Sequence, residues 1–122
     1  MSDTPLRHTP LYAEHLALKA RMVPFTGYAL PVQYTGIVDE HTTVRTAVGL
    51  FDVSHMGELT VDGPDALRLV DGLVTNDMQS LADGQCRYTL CCNEAGFPLD
   101  DLIVYRVRDT RGLIVCNASN RT

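Results

Sequence analysis

Three stretches of the chain repeat their apolar residues at helical spacing. Thr9 is placed to cap the first and Pro10 to open it, with Leu11, His15 and Leu18 on one face and an end near Ala20 or Arg21. From Gly36 to Val48 the period is helical again: Ile37, Val38, His41, Val44 and Val48 share a stripe. Asp39 and Glu40 suit the positive end of that helix, and Gly49 supplies its stop. A third helix opens at Gly63-Pro64-Asp65 and runs to about Leu73, with Ala66, Leu69, Val70 and Leu73 turned inward. Between the first two helices, Pro24, Gly27 and Pro31 interrupt Met22 to Tyr34, so a loop with short extended pieces is expected. Its Phe25, Tyr28, Leu30, Val32 and Tyr34 either plug a core or line a pocket.

A strand-like pattern marks Leu50–Ser54, Glu58–Asp62, Gln85–Cys92, Leu99–Val107 and Gly112–Asn117. The turns Asn93-Glu94-Ala95-Gly96 and Asp109-Thr110-Arg111-Gly112 join the last three into an antiparallel meander. Val74 to Gly84 reads as a polar connection. Two or three helices beside an antiparallel sheet define an α+β domain over residues 9–122, preceded by a flexible lead-in over residues 1–8.

Composition narrows the function more than the fold. The 122 residues suit one domain, and 45% hydrophobic with 20% charged residues is an ordinary globular mixture. Net charge is −5 and the basic residues are scattered, which argues against a nucleic-acid partner. No apolar run is long enough to span a membrane and no secretory signal is visible, so a cytoplasmic location is expected. Cys86, Cys91, Cys92 and Cys116 lack metal-ligand spacing and read as reduced, buried strand residues; no metal is expected. His41 reads as a partly buried structural histidine. Ser54 and His55 diverge on an extended chain, so His55 is also read as structural rather than as a catalytic base.

One strand carries chemistry. Leu99-Asp100-Asp101-Leu102-Ile103-Val104-Tyr105 opens an apolar run with two carboxylates. Alternation groups Asp101 with Ile103 and Tyr105, and Asp100 with Leu102 and Val104, so only one acid is expected in a given pocket. Pattern alone leaves open which acid that is, and whether it holds a ligand or only tidies a turn. A carboxylate, an apolar wall and an aromatic plate would suit a flat heteroaromatic ligand with an N–H to satisfy.

The motifs Thr9-Pro10-Leu11-Tyr12, Met22-Val23-Pro24-Phe25-Thr26-Gly27-Tyr28, Leu30-Pro31-Val32-Gln33-Tyr34, Gly49-Leu50-Phe51-Asp52-Val53-Ser54-His55-Met56-Gly57-Glu58, Thr75-Asn76-Asp77 and Leu99–Tyr105 together resemble the aminomethyltransferase (T protein) family of the glycine cleavage system. The resemblance runs from about Thr9 to the last residue and covers only the N-terminal part of that much longer family. It implies a folate-binding fold and a tetrahydrofolate-dependent transferase. Such an enzyme takes a one-carbon unit from the aminomethyl-lipoyl arm of the H protein, releases ammonia and forms 5,10-methylenetetrahydrofolate. It also implies Asp101 as the catalytic carboxylate, beside the reactive nitrogens of the folate. Met56, Tyr88, Ile103, Tyr105 and Asn117 are implied, with Asp101, as residues at or near the folate cavity, and Asp100 becomes a structural partner. A related folate-dependent demethylase or oxidase-associated domain, and a non-catalytic folate-binding module, are the alternatives. Two departures bear on the site: Gly96-Phe97-Pro98 stands where the family has Gly-Gly, and Tyr28 stands where it has Trp. Pro98 removes a ladder donor, so a shifted start of the strand is expected. Without the rest of the family's length, these 122 residues are expected to bind folate weakly and to transfer little.

Overall fold

A computed structural model describes residues 5–121. The chain divides into two compact units, residues 1–55 and 56–122. Its helices and antiparallel sheets make it α+β, as the pattern predicts.

The first unit is built on a hairpin, β1 (Arg21–Phe25) and β2 (Tyr28–Gln33), where the sequence led us to expect a loop. A two-stranded ribbon consists only of edges, so it tolerates Pro31 opposite Met22 and Pro24 opposite Ala29. The two-residue turn has both φ angles positive, 46° at Thr26 and 82° at Gly27, which matches the twist of paired strands. Arg7 bridges in parallel to Tyr28 and lays its guanidinium 4.4 Å from the centre of that ring. It falls within the expected lead-in, of which residues 1–4 lie outside the described residues.

Helix α1 (Tyr12–Ala17) begins later than the Thr9 cap predicts, because Tyr12 N–H donates to the Thr9 carbonyl in a preceding turn. It stops before Lys19, whose φ of 58° is left-handed. Of its expected inner face only His15 is buried; Leu11 and Leu18 are exposed. Helix α2 (Ile37–Thr46) ends at Ala47, ahead of Gly49, and none of its residues is buried. The stripe of Ile37, Val38, Val44 and Val48 is exposed, and so is His41, contrary to the expected burial. The turn into α2 is fixed by Glu40, whose Oε1 accepts the N–H groups of Tyr34, Thr35 and Gly36 at 2.7, 2.7 and 3.0 Å. Those bonds, Gly36 first, hold the Glu40 carboxyl below the usual range.

The expected strand Leu50–Ser54 does not form, and Leu50, Phe51 and Val53 are exposed. Asp52 anchors this segment instead. Its Oδ2 lies 2.9 Å from Nε2 of His15, whose Nδ1 is 2.8 Å from the Tyr34 hydroxyl. His55 packs edge-on against Phe25 and Tyr28, with centroids 5.8 and 6.3 Å away, in keeping with a structural role.

In the second unit, β3 (Gly57–Asp62), β4 (Cys86–Cys92), β5 (Pro98–Arg108) and β6 (Arg111–Cys116) form an antiparallel sheet ordered β3-β6-β5-β4. The meander is as predicted, and β3 adds to its free edge at β6. Glycine is needed at residue 57, where a Cβ would stand 2.4 Å from the Cys116 sulfur across the ladder. Helix α3 (Ala66–Asp71) covers one face. Its Ala66, Leu67 and Val70 pack with Val104 of β5 and with Met78 and Leu81. Leu69 and Leu73 are exposed, because the buried stripe of this short helix runs through Leu67 instead. The Val74–Gly84 connection is therefore more than polar: Met78 and Leu81 are core plugs. Asp71 seats them, accepting the Met78 N–H at 2.6 Å and the Gln79 amide at 2.7 Å. All four cysteines are free; Cys116 is buried, but Cys86 is exposed at the start of β4 rather than buried as expected.

Candidate functional site

Pairing across β4, β5 and β6 sets which side chains share the face of the sheet away from α3. Tyr88 stands opposite Ile103, and Ile103 opposite Val115. Cys86 and Leu113 flank Tyr105 in the same way. Directly paired residues share a face, so Tyr88, Ile103, Val115, Tyr105 and Leu113 lie together, with Asp101 two residues before Ile103. Val104, which is fully buried in the α3 core, points the other way, and Leu102, also buried, shares its side of the strand. The alternation read from the sequence thus holds along β5.

At the start of β5 that alternation no longer separates the two acids. The turn before it is closed by Asn93, whose side chain accepts the N–H groups of Ala95 and Phe97, and Gly96 adopts φ 82°. Pro98 pairs with Cys92 across a register shift, the local distortion expected where proline enters a ladder. Asn117, just past the end of β6, then reaches both carboxylates. Its Nδ2 donates to Asp101 Oδ1 at 2.7 Å and to Asp100 Oδ1 at 2.8 Å. The expectation that only one acid belongs to a given pocket is corrected: Asp100 and Asp101 line the same cavity, about 460 Å³, with Tyr88, Leu90, Leu99 and Asn120. Both acids reach it because β6 has ended and Asn117 closes the gap between them.

Both oxygens of Asp101 are engaged, since the Tyr88 hydroxyl donates to Oδ2 at 3.2 Å. Partial desolvation, then that hydrogen bond and the charge on Asp101, hold the Tyr88 phenol above its usual value. Each carboxylate oxygen keeps a further lone pair for an N–H arriving over the open face. Asn120 ties the 3-10 turn Ala118–Asn120 to the strand by donating to the Leu99 carbonyl at 3.2 Å.

Of the residues named from sequence, Tyr88, Asp101 and Asn117 meet in one hydrogen-bonded group. Ile103 and Tyr105 continue the same face as half-buried apolar surface, outside the cavity itself. Met56 is half-buried in the turn leading into β3, two strands from β5. Sequence reasoning missed Asn120, and it gave Asp100 only as a structural partner, not as a second acid lining the cavity. The signal was present in Asn117 and Asn120, amides placed where a strand ends beside paired acids. Two larger concavities carry less chemistry. One, of about 580 Å³ along α3, is lined by Asp65 and Arg68, already ion-paired, and by leucines. The other, about 570 Å³ between β2 and α2, is mostly apolar.

The GCVT N-terminal domain family matches residues 11–122, and the chain belongs to that family. The aminomethyltransferase of Thermosipho melanesiensis is 50% identical over 115 residues, covering 94% of this chain and 32% of that protein. The aminomethyltransferase of Rubrobacter xylanophilus is 54% identical over 116 residues, covering 95% and 31%. The crystal structure of glycine cleavage system aminomethyltransferase T from Bartonella henselae superposes with a TM-score of 0.88 at 38% identity, over 94% of this chain and 32% of that one. The chain thus spans about a third of the length of the curated relatives it matches.

Proposed function

We propose that the face of the second unit's sheet around Asp101 is the folate-facing wall of an aminomethyltransferase of the glycine cleavage type. In that reaction tetrahydrofolate supplies the amine that accepts the one-carbon unit, with the lipoyl arm of the H protein as donor and ammonia released. The donor set suits such a ligand. Ile103 and Tyr105 offer half-buried apolar and aromatic surface to a flat heterocycle, and Asp101 offers a carboxylate for its N–H. Tyr88 and Met56 are proposed as further contacts at the edges of this face. Asp101 would hold or take the proton of the attacking amine, which raises its nucleophilicity. Its part is also electrostatic, since Tyr88 and Asn117 fix the carboxylate before any ligand arrives.

The observation that carries this reading is the group Tyr88–Asp101–Asn117, a carboxylate held at both oxygens at the rim of an open apolar face. The test grafts residues 9–122 onto the remaining two-thirds of a relative such as the Thermosipho melanesiensis enzyme. Transfer from aminomethylated H protein to tetrahydrofolate is then assayed. The graft should be active, and Asp101→Asn should lower kcat by about 10²- to 10⁴-fold, the usual worth of a general base. Unchanged turnover by Asp101→Asn would remove the catalytic assignment.

A further inference from the structure

Asp100 makes more bonds than a turn-end acid requires. Its Oδ1 accepts the backbone N–H of Asp101 at 2.9 Å, the ordinary local bond for such a residue. The same oxygen also accepts the Asn117 side-chain amide at 2.8 Å, and Oδ2 accepts the Asn117 backbone N–H at 3.2 Å. Asn117 is thus gripped at two nitrogens by one carboxylate from a residue 17 positions away. A side-chain amide has two hydrogens. With one committed to Asp100, the other is directed at Asp101, where the carboxylate Oδ1 at 2.7 Å is nearer than the backbone carbonyl at 3.2 Å.

We propose that Asp100 is a positioning residue: it fixes the plane of the Asn117 amide, and through it the orientation of the Asp101 carboxylate. The inference rests on the role given to Asp101 above. Two neighbouring carboxylates would otherwise repel each other and turn apart toward solvent. The shared amide donates to both, and hydrogen bonds to ionised groups are the stronger kind. Asn117 lies beyond the last residue of β6, so no continuing ladder holds it, and the Asp100 carboxylate takes the place of the missing strand partner. With Asn117 on Oδ1 and Tyr88 on Oδ2, Asp101 is braced from both sides and presents its remaining lone pairs to the open face.

The test uses the 15N-labelled 122-residue chain without ligand, reading the Asn117 side-chain amide by NMR. In the wild type its two hydrogens should be distinct and slow to exchange. Asp100→Ala removes the acceptor and should speed exchange of that amide by roughly tenfold or more, the worth of a charge-assisted hydrogen bond. Asp100→Asn keeps one acceptor oxygen and should retain most of the protection. The backbone amides of Leu102 and Val104 serve as the control for an intact sheet. An Asn117 amide unchanged by Asp100→Ala in an intact sheet overturns the proposal. Should Asp100→Ala fail to fold, a 13C,15N-labelled wild type that shows no through-hydrogen-bond coupling from the Asn117 side-chain nitrogen to the Asp100 carboxyl carbon overturns it equally. No folate enters the measurement, so a failure of the folate reading would appear separately, in ligand titration.

Discussion

The Tyr88 hydroxyl donates to Asp101 across 3.2 Å, joining β4 to β5 on the diagonal of the Tyr88–Ile103 pair. A phenol beside a carboxylate resists ionisation, because a phenolate would face a like charge and lose its acceptor. Desolvation first, then the bond to Asp101 and its charge, hold Tyr88 above its usual value. Asp101→Asn removes the charge, so the Tyr88 titration followed by 13C NMR of the ring should move to lower pH. An unmoved titration would mean that the two side chains do not meet in solution.

His15 and Asp52 form a buried hydrogen-bonded contact in the first unit, with side chains 5% and 2% exposed. Burial pushes the Asp52 carboxyl up, but hydrogen bonds from Ser54 and His15 outweigh it and leave it well below the usual range. A carboxyl depressed in the folded state stabilises fully above its unfolded value and loses that contribution as pH falls through the folded value. Thermal stability should therefore decline as the pH drops below about 4. Asp52→Asn should flatten the slope, and His15→Ala, which removes one of the donors to a buried carboxylate, should cost about 1–3 kcal/mol. Melting curves from pH 6 to 2, spanning that range, are the check.

Met78 is fully buried in a segment without regular structure, whereas Leu69 of α3 is 58% exposed. Met78→Ala should cost about 2–5 kcal/mol in denaturant unfolding, and Leu69→Ala only about 0.5 kcal/mol. A reversed order would contradict the core assigned to the second unit.

Thr26 holds a left-handed φ of 46° despite its branched side chain. Asn tolerates this conformation and Asn-Gly is the favoured pair for such turns. Thr26→Asn should raise stability, by something on the order of 1 kcal/mol.

The residues legible from sequence were those whose environment is set by neighbours in the chain. Alternation along Leu102–Tyr105 survives in β5, and the turns of the meander lie where Gly96 and Asp109-Thr110 suggest. What the pattern misjudged depends on the rest of the fold. Pro24 and Pro31 argue against a strand only in a sheet interior, and β1 and β2 have none. The α2 stripe has helical spacing but no buried residue, since periodicity records amphipathicity and not what covers it. Met78 and Leu81 were hidden among polar neighbours. The bridge from Asp100 to Asp101 needed Asn117, which only strand pairing brings beside them.

The proposed site for a reduced folate is the face of the second unit away from α3, around Asp101. It is tested most directly by titrating the labelled chain with 5-formyltetrahydrofolate, a stable reduced folate, and following chemical shifts. Weak, saturable shifts are predicted at Tyr88, Asp101, Ile103, Tyr105 and Asn117, with the α3 core residues Leu67, Val70 and Met78 unmoved. Shifts confined to the α3 side, or none at millimolar ligand, would contradict it.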